Sequence, residues 1–381
     1  MASTLEYALM AGDAYISNRS SINLFPIPKG WNEFFHVPNN PAYPNFTSTS
    51  GFEAVSFQNS ANPNEIVISY AGTDPKSIGD LYADGTLAAG VSSATLISQQ
   101  ILQAADYYLT VQASNPKANI TFTGHSLGGG LASLMAVFFN KQAVTFDQAP
   151  FRNSASLAVA QQLYSYLAGE KITNGQSTYS ASQLQGLATY ISAVTAAPGS
   201  VPYEANVKDI NVQGEFLSSS LDLFSRIGSQ SSISDSSGGV SGLDLHSQAL
   251  LAAFEQSKQT AATGGKALND VTVPLPDLLR MMFDSNLYAY PENTTNKTNP
   301  NILDLLVNHQ AGFDPRTQAA IAGGSDNMVT RFTSDLWNIA QAGGLTMSDK
   351  NLTDALIAFD MQKYYYEKAG ASNDTAWGMA A

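Results

Sequence analysis

GHSLGGG, Gly124 to Gly130, is the stretch whose reading decides the fold of this 381-residue chain. Its first five residues form a G-x-S-x-G pattern centred on Ser126, and the pattern occurs once. Before it stands NITFT (119–123), a short run rich in β-branched and aromatic residues; after it comes LASLMAVFFNK, with helical spacing. A serine held on a sharp turn between a strand and a helix needs this order. The strand carries the hydroxyl to the edge of a sheet, and glycines two before and two after leave room for the neighbouring backbone. The helix that follows turns its N-terminal N–H groups toward developing negative charge. The alternative is a small-residue packing turn with a bystander serine, which would not require strand, turn and helix together.

Working outward, FEAVSF (52–57) and EIVISY (65–70) read as two short strands joined by the polar turn NSANPN. Ile97, Ile101, Ala105 and Tyr108 recur at helical spacing, and Asn115-Pro116 stops that helix. A further strand is expected at 142–146 and another at 207–213. This alternation predicts an α/β fold with a mostly parallel central sheet flanked by helices. Residues of about 153–200 are Ala/Ser-rich with helical spacing, a helical insertion. SSISDSSGGVSG (231–242) reads as a flexible loop. After about 263 the segments LPDLLRMMF, NILDLLVNH and TDALIAFDMQKYYYEK look like amphipathic helices with no strand between them. The expected organisation is therefore a catalytic domain over 1–262 and a mostly helical extension or cap over 263–381.

Composition narrows the function. Hydrophobic residues are 44% and charged residues 13%, enough for a large buried core. The net charge of −13, without a Lys/Arg run, argues against a nucleic-acid or polyphosphate partner. The absence of cysteine removes disulfides, thiolate metal sites and a cysteine nucleophile. No apolar run approaches the roughly 20 residues that span a bilayer, so no transmembrane segment is expected. The start, MASTLEYALMAGDAY, is amphipathic and shows no signal peptide.

GHSLGGGLASL, together with the upstream IVISYAGTD, resembles the class 3 lipases. These are α/β-hydrolases that include fungal triacylglycerol lipases and bacterial lipases and phospholipases A1. The resemblance covers roughly residues 1–260 and implies the α/β-hydrolase fold and a Ser-His-acid triad. It assigns Ser126 as nucleophile. Ala71-Gly72-Thr73 stands where the family has Arg-Gly-Ser/Thr, so Thr73 matches one oxyanion-hole position and the Leu127 backbone N–H matches the other. Secretion is the family's habit, and an extracellular location is the expectation from it.

The serine needs a base, and the histidines are His36, His125, His246 and His309. His125 adjoins the nucleophile, so its ring cannot reach back to the hydroxyl. His36 precedes the serine, against the order Ser, acid, His of this fold. His246, in GLDLHSQAL, is the first choice, because similar His-Ser segments carry the base in the family; His309 is the second. The acid must end a strand near the base. Glu215, which follows the 207–213 strand where the family usually carries Asp, is the first choice, and Asp147, which ends the strand after the nucleophile helix, is the alternative. Asp209 and Asp222 are remoter options. The combined expectation is a serine carboxylic ester hydrolase acting on lipid esters at a lipid–water interface, with no metal or cofactor needed. A thioesterase or peptidase on the same fold, and a catalytically silent lipid-binding protein, are the alternatives. Apolar cover for the substrate could come from the insertion (Leu163, Tyr164, Tyr166, Leu167) or from the C-terminal helices (Leu278, Leu279, Met281, Met282, Phe283).

Overall fold

The computed structural model describes residues 1–15, 25, 27–28, 30–38, 51–72, 94–169, 179–220, 225–234 and 242–257, with four two-residue strands further on. The chain divides into two compact units. One comprises Met1–Asn18, Ile27–Ile233 and Ser241–Gln248, and holds the whole main sheet; the other comprises Arg19–Pro26, Ser234–Val240 and Ala249–Ala381.

Seven strands line up in sequence order: β1 (Trp31–Val37), β2 (Ala54–Asn59), β3 (Glu65–Tyr70), β4 (Asn119–His125), β5 (Ala143–Phe146), β6 (Val207–Val212) and β7 (Ser229–Ile233). The first two pairings are antiparallel, and β3 through β7 run parallel. The parallel strands are joined through helices, as parallel pairing requires. The helices are α1 (Thr4–Asp13), α2 (Ala94–Ser114), α3 (Leu127–Phe139), α4 (Leu157–Gly169), α5 (Gln185–Ala196), α6 (Phe216–Ser220), α7 (Gly242–Leu245) and α8 (Gln248–Ser257).

Strand β4 shows why helices cover both faces. Successive side chains of a strand point to opposite sides. Ile120 and Phe122 face one way, where the Tyr108 ring of α2 lies 5.4 Å from that of Phe122. Thr121 and Thr123 face the other way and bond to α1, through the Tyr7 hydroxyl at 3.0 Å and the Tyr7 carbonyl at 3.3 Å. Every residue of α3 is buried, as a helix apolar all round must be. Its outer side is covered by α5, with the Phe138 and Tyr190 rings 4.9 Å apart.

Two strands of the main sheet escaped the sequence reading, and two readings are corrected. β1 alternates buried and exposed positions irregularly, with a bulge between Glu33 and Phe35 that breaks its period. The Ser-rich stretch read as a loop from 231 begins inside β7. Four of the five β7 residues are exposed because it is an edge strand, so its polarity hid it. The expectation of no strand between the three C-terminal segments is also corrected by the second of two short pairs, the first lying at the 263 boundary. Ala262–Thr263 pairs with Lys266–Ala267, and Phe313–Asp314 pairs with Ala319–Ala320. The C-terminal helices expected there lie outside the described residues. Helices α4 and α5 do fill the insertion, but Leu163 and Leu167 are buried in the core. They are not available as substrate cover; Tyr166, half exposed, is at the surface.

Candidate active site

The elbow is built by close approach. Ser126 sits between β4 and α3 with φ 57° and ψ −126°, a conformation that costs a non-glycine residue about 1–3 kcal/mol. It is held there by its backbone: its N–H donates to the Phe146 carbonyl at 3.0 Å, and its own carbonyl accepts from Gly130 and Ala149. A Cβ at Gly124 would stand 2.5 Å from the Gly128 carbonyl, and one at Gly128 only 2.0 Å from the Tyr70 carbonyl oxygen. Both glycines are therefore steric requirements of a helix started against the ends of β3 and β4. Leu127 is the first residue of α3, so its N–H has no acceptor within the helix.

The second half of the site lies at the ends of β5, β6 and β7. After β6, Gly214 takes φ 84° and turns the chain, and Glu215 then opens α6, accepting the Leu217 N–H at 2.7 Å. Helix α7 packs on α6 and carries His246 just past its end. There His246 Nδ1 meets Glu215 Oε2 at 2.7 Å. Asp147 is close by, its Oδ2 being 3.9 Å from the same nitrogen. Its Oδ1 accepts the Val212 N–H at 2.9 Å, while Oδ2 has no hydrogen-bond partner among the described residues. Of the two candidate acids, Glu215 is the one hydrogen-bonded to the histidine.

The electrostatics separate these two carboxyls. Burial, then the neighbouring Glu215 charge, pushes the Asp147 carboxyl well above the usual range. Burial pushes Glu215 up as well, but the His246 hydrogen bond, the charges of His246 and Arg226 and the Leu217 N–H outweigh it and hold Glu215 below its ordinary value. Arg226, which the sequence reading missed, is a buried guanidinium linking Glu215 Oε1 to Asp209 Oδ2, the latter at 3.3 Å. Asp209 is fixed in turn by the Thr145 hydroxyl, the Gln148 N–H and the Asn211 amide. A lone Arg in SRIGSQ carries no motif; its low count among buried residues becomes meaningful only when the fold encloses it.

His125 does not bond the serine. Its Nδ1 is 2.9 Å from the Tyr15 hydroxyl, and its ring lies 4.6 Å from that of His246. Tyr15, also missed from sequence, places its hydroxyl 3.3 Å from the His125 carbonyl and so anchors the end of β4. His36 sits on β1 and pairs with Glu53 at 3.0 Å. Thr73, Asp222 and His309 lie outside the described residues. His125, Asp147 and His246 each bring a donor atom within 4.8 Å of the others, the spacing a metal ion would require. Both Nδ1 atoms are engaged by protein partners, Tyr15 and Glu215, so any ligation by these histidines would use Nε2.

No helix among the described residues is long and apolar enough to cross a membrane. Among solved structures, the chain is similar to the Rhizomucor miehei lipase propeptide complex, with 13% identity, a TM-score of 0.36, and 62% of this chain and 68% of that one covered. It is also similar to a mutant form of MDLA from Penicillium cyclopium, with 12% identity, a TM-score of 0.34, and 62% and 81% covered. Carboxyl esterase 2 from the mycorrhizal fungus Tuber melanosporum follows, with 12% identity, a TM-score of 0.25, and 63% and 91% covered. At such scores the fold rests on the strand order itself. The family comparison is more direct: a profile described as phospholipase-like, with a Tle-like phospholipase domain, matches residues 6–219. That span holds the elbow, Asp147 and Glu215 and exceeds half of the chain, and the chain belongs to this phospholipase-like family.

Proposed function

We propose that the protein is a serine hydrolase of lipid esters, with Ser126 as nucleophile, His246 as base and Glu215 as the acid that orients it. The observation that carries this reading is the 2.7 Å bond from His246 Nδ1 to Glu215, in a chain whose phospholipase-like family match also contains the strained serine turn. A neutral imidazole has one N–H. With the Nδ1 proton donated to Glu215, Nε2 keeps its lone pair, and Nε2 is buried with no hydrogen-bond partner among the described residues. That nitrogen takes the Ser126 hydroxyl proton as Oγ bonds to the ester carbonyl carbon. The carbonyl electrons move onto oxygen, where the Leu127 N–H, and Thr73 by resemblance, stabilise the oxyanion. Collapse expels the alcohol, which takes the proton from His246. Water then attacks the acyl-serine with His246 again as base, releasing the fatty acid.

The substrate class follows from the family and the charge. A chain of net charge −13 is repelled by anionic membranes, so neutral or zwitterionic lipid presented at an interface suits it. Phosphatidylcholine is the first choice among these. The test has two arms: fluorophosphonate labelling mapped to Ser126, and fatty-acid release from phosphatidylcholine vesicles beside a triglyceride emulsion. Labelling at Ser126 with faster release from vesicles is the expected result. No labelling would overturn the serine mechanism; faster release from triglyceride would overturn only the substrate choice.

A further inference from the structure

Two carboxyls stand at one imidazole nitrogen, and a third lies a residue pair away. Glu215 is faced by Asp209 from β6, Asp147 from the end of β5, Arg226 from the segment before β7 and His246 from the end of α7; the His125 ring of β4 lies tilted beside that of His246. Asp147, Asp209 and Glu215 are wholly buried, and Arg226 and His246 nearly so. Arg226 is the one Lys or Arg side chain in ion pairs within this cluster among the described residues. A single guanidinium cannot balance three buried carboxylates.

We propose that Arg226 is a positioning residue for the acid of the triad: its guanidinium bonds Glu215 and Asp209 and so decides which carboxyl beside His246 carries the negative charge. The inference rests on the proposed triad. Arg226 grips Glu215 Oε1, leaving Oε2 for His246 Nδ1 and the Leu217 N–H. Asp147 has no ion pair to Arg226 among the described residues, and its Oδ2 has no hydrogen bond. An ionised carboxylate left that way would be costly, so the Asp147 proton stays on. With Asp147 neutral, the cluster holds two carboxylates and one guanidinium at rest. When His246 takes the serine proton the imidazolium cancels the remaining negative charge, so the buried cluster becomes neutral as the acyl transfer begins.

Arg226→Met removes a cation beside the acid–base pair, and any proton entering that pair then binds more tightly. Loss of such a neighbour moves a titration by on the order of one pH unit. The measurement is the pH dependence of fluorophosphonate labelling at Ser126, normalised to folded protein, in the full chain. The acid limb should rise by about one unit in Arg226→Met and return toward the parent in Arg226→Lys, which restores the charge without the fork. Asp209→Asn removes a carboxylate instead, so its limb should move the opposite way; this variant decides the matter if Arg226→Met does not fold. A merely structural Arg226 would lower the folded fraction and leave the limb where it is. Limbs that coincide with the parent in the folded variants overturn the inference. Failure of the parent to label at Ser126 overturns the proposed triad instead.

Discussion

The two halves of the candidate site are held by different forces. The half around Ser126 is built on one continuous segment, β4 through α3, set against the end of β3, and its geometry is steric: glycines at 124 and 128 permit contacts of backbone with backbone that no side chain could share. The half around His246 draws Asp147, Asp209, Glu215, Arg226 and His246 from separate segments, and its geometry is electrostatic. Sterics act at contact distance and are written in the glycines that permit it. Charge compensation acts between residues that only the sheet brings together. The first half should fail abruptly when changed, and the second by degrees and with pH.

The largest effect should come from Ser126→Ala. Loss of a triad nucleophile lowers kcat on the order of 10⁶-fold, and the fold should persist because alanine adds no atoms. Residual turnover within about tenfold of the parent, at equal folded fraction, would remove Ser126 from the mechanism.

Next in size is the acid. Glu215→Gln should lower kcat by roughly 10⁴-fold by spoiling the imidazole tautomer, while Asp147→Asn should cost no more than about tenfold. Steady-state rates for the two variants settle which carboxyl orients His246; a dead Asp147→Asn beside a live Glu215→Gln reverses the assignment.

The steric half gives a stability prediction. Gly128→Ala should destabilise by about 1–3 kcal/mol, since its Cβ would stand 2.0 Å from the Tyr70 carbonyl oxygen. Gly169→Ala, at the end of α4 with nothing within 4 Å of the added atom, should be neutral or slightly stabilising. Thermal melts that shift equally for both would contradict the close-approach account of the elbow.

The smallest effect is a pH trend. Asp147 titrates higher in the folded protein than in the unfolded chain, so its contribution to stability is lost as pH rises from the ordinary carboxyl range toward the raised value. Asparagine has no such proton to lose. The Tm of Asp147→Asn minus that of the parent should therefore grow by a few degrees between about pH 4 and pH 7. A difference that shrinks over this range would mean that Asp147 is ionised in the native protein.

Much of this arrangement was legible in the residues. Strand β3 was read at its observed limits, and β4, β5 and β6 within two residues, because parallel strands buried on both faces are apolar runs. Helix α2 was read from Ile101, Ala105 and Tyr108, all now in the core. The edges were not legible in the same way. β1 has a bulge, and β7 is a polar edge strand that mimics a loop. At the site, His246 and Glu215 could each be nominated by chain order and position after a strand. Between Glu215 and Asp147 only the family resemblance favoured Glu215, since both follow strands; the hydrogen bond from His246 is a contact between residues distant in the chain.

By itself the sequence determined the turn at Ser126 and the strand and helix around it, because the turn demands glycines at a set spacing between a strand and a helix; its backbone bonds to Phe146 and Ala149 came from the sheet. It also determined the class of fold, through the alternation of apolar strands with helical periods. Only the tertiary structure decided which acid meets His246, and that Arg226, Asp209 and Tyr15 take part at all. Those partners are separated by long stretches of chain, and the energy that joins them is the cost of burying charge, which exists only once the sheet has closed around them.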